Sequence, residues 1–188
     1  RLTGVYEDSG SYRDDVELER YGINPTLRLT TGPRTTLTLG YEYFNDERTT
    51  DRGGPSQNGR PFAIDDSKFF GDPTQSNGAI ELNVLTAALS HQISPATTLG
   101  NRFSYGNYDK FYDNVFAATA VAANGTVGFE SYQSATDRRN LFNQTDLTHK
   151  LVTGTIKHTL LAGLEVGQQV TDNFRLSGRF ADGADADT

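Results

Sequence analysis

The chain has no cysteine, which excludes a disulfide framework and any thiolate metal site. It has no apolar run near the roughly 18 residues of a spanning helix. With 35% hydrophobic residues and a mean hydropathy of -0.56, it is not a helical membrane protein, and any membrane crossing falls to strands. Basic excess is absent too: 17 Lys and Arg stand against 24 Asp and Glu, a formal charge of -7. Phosphate binding needs a basic surface that releases counterions, so a nucleic-acid role is excluded. There is no GxSxG elbow, phosphate loop or HExxH pair, and an enzyme is not expected. The opening RLTG carries neither Met nor a charged-then-apolar leader. The chain is therefore expected to be an excised or processed piece.

What is present is period-2 alternation of apolar and polar residues, interrupted by Gly, Pro, Asn and Asp. It predicts an all-β chain, an antiparallel meander of about seven strands near 1 to 7, 16 to 30, 35 to 48, 79 to 93, 98 to 113, 129 to 150 and 156 to 170. The connections alternate in length. Short ones fall at TGPR (31 to 34), SPAT (94 to 97) and VTGT (152 to 155), and long polar ones at 49 to 78, 114 to 128 and after 171. Short turns at one end and long loops at the other describe an outer-membrane barrel.

Parity tests this reading. Tyr21, Ile23, Pro25, Leu27 and Leu29 share one face of their strand, and Leu37, Leu39, Tyr41 and Tyr43 share one face of the next. Both sets are odd-numbered, so the loop holds an odd number of residues. A three-residue turn at Gly32, Pro33 and Arg34 sets Leu29 opposite Leu37 and Leu27 opposite Leu39. The same reasoning sets Ile93 opposite Leu99 and Leu89 opposite Phe103. A two-residue turn at Thr153 and Gly154 sets Leu151 opposite Ile156, Leu147 opposite Leu160, and His149 beside His158. Two imidazoles without a third ligand are expected to be interfacial side chains and not a metal site.

The opposite face carries Arg28, Glu42, Arg102, Asp146 and Glu165, and alternation alone does not say which face meets which solvent. Tyr21, Tyr41, Tyr43 and Tyr105 lie toward the long-loop ends, where an interfacial girdle belongs.

The stretches LERYGINPTLRL, TTLTLGYEYFNDERTTDRG, FFGDP, NRFSYGNYDKFYDNV, ATDRRNLFNQTDLT and KHTLLAGLEVGQQVTDNFR, taken in order, resemble the barrel of TonB-dependent siderophore receptors over nearly the whole chain. The resemblance implies a roughly 22-stranded transmembrane β-barrel around a plug domain. It also implies the outer membrane of a Gram-negative bacterium, and uptake of ferric siderophores energised through TonB. Residues 1 to 188 would then be a partial barrel domain, with plug, TonB box, remaining strands and terminal aromatic strand absent and other strands or other copies completing the sheet. The siderophore is transported ligand, and no cofactor is implied.

Under that resemblance Arg52, Arg60, Phe69 and Phe70 of the longest loop offer cations and rings for an anionic, aromatic-rich iron chelate. Tyr108, Phe111 and Tyr112 form a second candidate patch, and Arg28, Glu42, Arg102, Asp146 and Glu165 would face the lumen or plug. The bland alternatives are a self-packed solvated loop and a wet sheet face. DGADAD near the end lacks the glycine position and closing glutamate of a calcium loop and reads as an acidic tail. Two rival functions remain: a passive porin-like barrel, and a soluble or surface β-sheet protein used in adhesion or assembly.

Overall fold

The computed structural model describes residues 1–180 and the short strand at 186–187. Its strands are β1 Leu2–Gly10, β2 Glu17–Thr31, β3 Thr35–Thr49, β4 Ser56–Gln57, β5 Arg60–Pro61, β6 Asn77–Ser94, β7 Thr97–Ala117, β8 Thr126–Val127, β9 Phe129–Thr153, β10 Ile156–Arg179 and β11 Ala186–Asp187. Seven of them form one antiparallel sheet in the order β1-β2-β3-β6-β7-β9-β10, an open meander in which neighbours in sequence are neighbours in space. β4 with β5 and β8 with β11 make two small separate ladders.

The registers sort side chains cleanly. Leu27 pairs with Leu39, Leu39 with Ala87, Ala87 with Phe103, Phe103 with Asn143 and Asn143 with Val166. One step along each strand, Arg28, Thr38, Ala88, Arg102, Gln144 and Glu165 form the adjacent row on the opposite face. All five polar residues expected to share a face do so.

Among the described residues no second layer covers the apolar face. Leu27 is 54% exposed and Leu160 55%, with Leu85, Leu147 and Leu164 also open. Among the described residues the buried apolar side chains are Phe70, Val115, Val121 and Val127, all at the long-loop end. A contiguous bare surface of this size is one that water does not tolerate. Its expected solvent is lipid. Crossing the apolar band takes about 9 to 11 residues of tilted strand. β9 and β10, with 25 and 24 residues, rise to roughly 80 Å at about 3.4 Å per residue. In a barrel wall their upper halves are expected to stand clear of the bilayer.

The other face is shaped by small residues. An ideal Cβ at Gly167 would lie 2.5 Å from Cε1 of Phe142, its cross-strand partner, and one at Gly22 would lie 3.0 Å from Phe44 Cδ2. Rings from one strand lie over bare backbone on the next.

The Gly32–Pro33–Arg34 turn, with Gly32 at φ 69°, gives the expected pairs Leu29–Leu37 and Leu27–Leu39. The other two turns differ from expectation. Ser94 pairs with Thr97 around Pro95–Ala96, and an irregularity between Gln92 and Ser94 takes Ile93 out of the ladder. Leu99 therefore faces His91, and Phe103 faces Ala87. A bulge adds one residue to one strand, shifting partners while preserving the apolar face. In the last hairpin the turn residues are Gly154 and Thr155, with Gly154 at φ 61° and Thr155 outside the positive-φ region. That is the type II′ pattern, which puts glycine first. Leu151 accordingly meets His158, His149 meets Leu160 and Leu147 meets Ala162, so the two histidines are not direct neighbours. His149 Nδ1 lies 2.9 Å from Thr97 Oγ1, and His91 Nδ1 lies 2.8 Å from Thr35 Oγ1. Both stand at the short-turn rim. The long loop expected after 171 is also replaced, because β10 continues to Arg179. In DGADAD, residues 182–185 and the side chains of 186–187 lie outside the described residues.

Candidate functional site

The loops at the upper end knit into a cap. Arg13 Nε lies 2.9 Å from Asp51 Oδ2, and its Nη1 donates to Lys68 O at 3.0 Å. The Asp14 amide donates to Ser67 O at 2.8 Å, and the Val121 amide to Ser56 O at 2.8 Å. Loops 11–16, 50–76 and 118–128 are thus tied to one another. Within the longest loop, Asn58 and Gly59 at φ 53° and 75° close the two-residue turn between β4 and β5 in the manner of a type I′ hairpin.

Two aspartates brace the loop. Asp65 Oδ1 accepts from the Ser67 amide and hydroxyl, and Asp72 Oδ1 from the Thr74 hydroxyl and amide. The Ser67 backbone bond holds the Asp65 carboxyl below its usual range, and the Thr74 hydroxyl does the same for Asp72. A carboxylate whose folded pKa is depressed contributes order that is fully present above its unfolded pKa and is lost as pH falls through the folded value. The protection of the Thr74 amide, its exchange rate relative to the intrinsic rate at the same pH, is therefore expected to fall on acidification in the wild type and to stay flat with pH in Asp72→Asn. Equal pH dependence in the two proteins would contradict this bracing.

Beneath the cap, on the same face as Arg28 and Arg102, three rings and two cations converge. Tyr112 stacks on Tyr132 with centroids 5.1 Å apart and planes at 23°, and Phe116 meets Tyr132 edge-on at 6.4 Å. Arg52 Cζ sits 4.1 Å from the Phe116 centroid and 5.0 Å from that of Tyr132, whose hydroxyl receives Arg52 Nη2 at 3.3 Å. Arg175 Cζ lies 4.6 Å from the same ring. Among the described residues neither arginine has a carboxylate partner. Lys110 and Arg138 belong to the same face one to two rows below. Their sequence neighbours Asp109 and Asp137 point the other way, in a cross-strand row with Glu81 and Asp172. Alternation thus splits the DK and DR pairs into a cationic row on one face and an anionic row on the other, within a chain of net charge -7.

Of the loop residues singled out by sequence, Arg52 reaches this cluster. Arg60 stays exposed on β5, Phe69 packs at Gly71, and Phe70 is 4% exposed as part of the loop's own core. Tyr108 and Tyr112 share the inner face, whereas Phe111, an odd position on β7, faces outward beside Ala79 and Ala135, so the three are not one patch. Phe116, Tyr132 and Arg175 escaped sequence reasoning. Uniting them requires the β7–β9 register, which the long 118–128 connection hides.

Lower on this face lies a depression of about 660 Å³, lined by Arg28, Thr38, Ser90, Arg102, Gln144 and Asp146. Arg102 Nη1 binds Asp146 Oδ2 at 2.8 Å, Gln144 Nε2 donates to Asp146 Oδ1 at 2.9 Å, and Asn24 Nδ2 donates to Glu42 Oε2 at 3.2 Å. Arg28 and Glu165 have no ion-pair partner among the described residues. No group of three His, Asp or Glu residues among them is placed to hold a metal.

No family model matches the chain. It is 28% identical over 181 residues to the metal-pseudopaline receptor CntO of Pseudomonas aeruginosa, covering 94% of this chain and 25% of that protein. It is 24% identical over 180 residues to the probable TonB-dependent siderophore receptor PiuA of Acinetobacter baumannii, covering 91% and 24%. The crystal structure of the ferric-catecholate import receptor Fiu from E. coli K12 superposes with a TM-score of 0.81 at 22% identity, over 93% of this chain and 30% of that one. The chain thus spans about a quarter of the length of the curated relatives it matches. The resemblance read from the sequence stands, and the seven-stranded sheet has the fold of part of a receptor barrel of the Gram-negative outer membrane.

Proposed function

We propose that this chain is a stretch of barrel wall from an outer-membrane receptor that takes up ferric siderophores, with energy delivered through TonB. The remaining strands complete the barrel, and a plug fills its lumen. The observation that carries this reading is the cluster of Arg52, Tyr112, Phe116, Tyr132 and Arg175 on the polar face below the loop cap. Two arginines without carboxylates beside stacked rings suit a ligand that is anionic and aromatic at once, as an iron catecholate is. The names of the relatives agree with it: CntO is a metal-pseudopaline receptor, PiuA a probable TonB-dependent siderophore receptor and Fiu a ferric-catecholate importer. The wall binds and passes its cargo chemically unchanged, so neither a resident cofactor nor a catalytic group is proposed. A passive pore would need no convergent ligand site, and a soluble sheet would need its apolar face covered.

The test is radio-iron uptake from the ferric tris-catecholate complex by cells that lack their own siderophore receptors and express the full gene product. Uptake is expected to saturate with the complex and to vanish in a strain without TonB. Unsaturable uptake that persists without TonB would favour the passive barrel.

A further inference from the structure

We infer that Asn114 is a positioning residue for ligand binding, which sets Arg52 over the aromatic rings by clamping Thr50 at the stem of the longest loop. The inference rests on reading that cluster as the ligand site. Asn114 is fully buried, at 0% exposure, and stands directly across the ladder from Tyr132. Its Nδ2 donates to both the carbonyl and the hydroxyl of Thr50, each at 2.8 Å. The Thr50 hydroxyl in turn donates to Asp113 O at 2.6 Å, and the Thr50 amide to Ser76 O at 3.0 Å. Ser76 Oγ accepts from the Val115 amide at 3.3 Å, so both stems of the loop are fastened to one short stretch of β7.

The next residues are held as well. Asp51 pairs with Arg13 and accepts from the Gly53 amide at 2.8 Å. Arg52 leaves the backbone between two fixed points and is aimed at Phe116 and Tyr132. Asn114 Oδ1, meanwhile, is buried with no hydrogen-bond partner. An unpartnered buried acceptor destabilises the sheet, and an apolar side chain of similar size would avoid it. An amide spends both of its donor hydrogens on one loop residue, and what that arrangement specifies is the place of the stem.

The test measures affinity for the ferric tris-catecholate complex in the detergent-solubilised full gene product, across a range of ionic strength. The variants are R52A, N114L and T50V, with N114L and T50V each also combined with R52A. R52A is expected to weaken binding about tenfold and to flatten its salt dependence, since a charge is lost. N114L is expected to reproduce both effects, and to add less than about twofold when Arg52 is already absent, the signature of two residues acting through one contact. T50V, which removes only the hydroxyl, is expected to fall between N114L and the wild type. It supplies the same cycle if N114L fails to give a folded barrel. An N114L effect of equal size in both backgrounds, or one with the wild-type salt slope, would overturn the positioning role and leave the site reading standing. R52A binding like the wild type would overturn the site reading itself.

Discussion

Leu39→Arg is expected to abolish or severely impair assembly into the membrane, while Thr38→Arg, one residue away, is expected to be tolerated. Leu39 sits near the middle of its crossing, between the turn at Gly32–Arg34 and the tyrosines at 41 and 43, with Leu27 and Ala87 as cross-strand neighbours. Arginine on the lipid face at the bilayer midplane costs about 2 to 4 kcal/mol. That is a large fraction of the roughly 5 to 15 kcal/mol by which a folded protein is stable. Thr38 lies on the opposite face, directly across the ladder from Arg28 and beside Ala88, where an added arginine brings only a like-charge contact that water screens. The check is the fraction of each variant that reaches the heat-modifiable, membrane-embedded form, with urea unfolding in vesicles for those that do. Similar losses for both variants would deny that the two faces meet different solvents.

The second large effect concerns Tyr132. Tyr132→Ala removes the ring over which Arg52 and Arg175 both lie and on which Tyr112 stacks. Each cation–π contact contributes about 0.5 to 2 kcal/mol according to its desolvation. Losing two, with the stacking platform for an aromatic ligand, is expected to weaken ferric catecholate binding by about tenfold to a hundredfold at about 1.4 kcal/mol per decade. Tyr105→Ala is the control: Tyr105 faces outward beside Leu85 and Leu141, and its loss is expected to lower stability without changing affinity. Equilibrium binding to the full gene product decides between them. Unchanged affinity in Tyr132→Ala would remove the ligand role of the cluster.

How much of this was legible in the sequence depended on how local the information was. Between Ile23 and Tyr43 a three-residue turn and strict alternation fix both register and face, and the structure agrees pair for pair at Leu27, Leu29, Leu37 and Leu39. At Ile93 the apolar pattern runs straight through a bulge. A bulge changes who opposes whom without changing which residues are greasy, so Leu99 was set against the wrong partner. At Gly154 glycine takes the first turn position instead of the second, which moves every β9–β10 pair by two and separates His149 from His158.

The end of β10 was missed for another reason. In TDNFRLSGR the row of Asp172, Phe174, Leu176 and Gly178 holds only two apolar residues between a charge and a glycine, so the alternation is too short there to mark a strand. The shared face of Arg28, Arg102 and Glu165 was legible because it needs only parity. The Arg52 cluster was not, because it joins a loop stem to three strands whose registers meet across long connections, and no local pattern encodes that distance.

The central claim is that odd positions on β3 and β6 face lipid and even ones face an aqueous lumen. These 188 residues contain no cysteine, so once any cysteine elsewhere in the full gene product is replaced, a spin label attached to a single introduced cysteine has no competitor. In vesicles containing the full gene product, labels at 37, 39, 87 and 89 are expected to collide often with oxygen and seldom with a water-soluble nickel chelate. Labels at 36, 38, 88 and 90 are expected to show the reverse. The same ratio on both faces, or odd positions shielded from oxygen and chelate alike, would mean that protein covers the leucines and that this sheet is not a membrane wall.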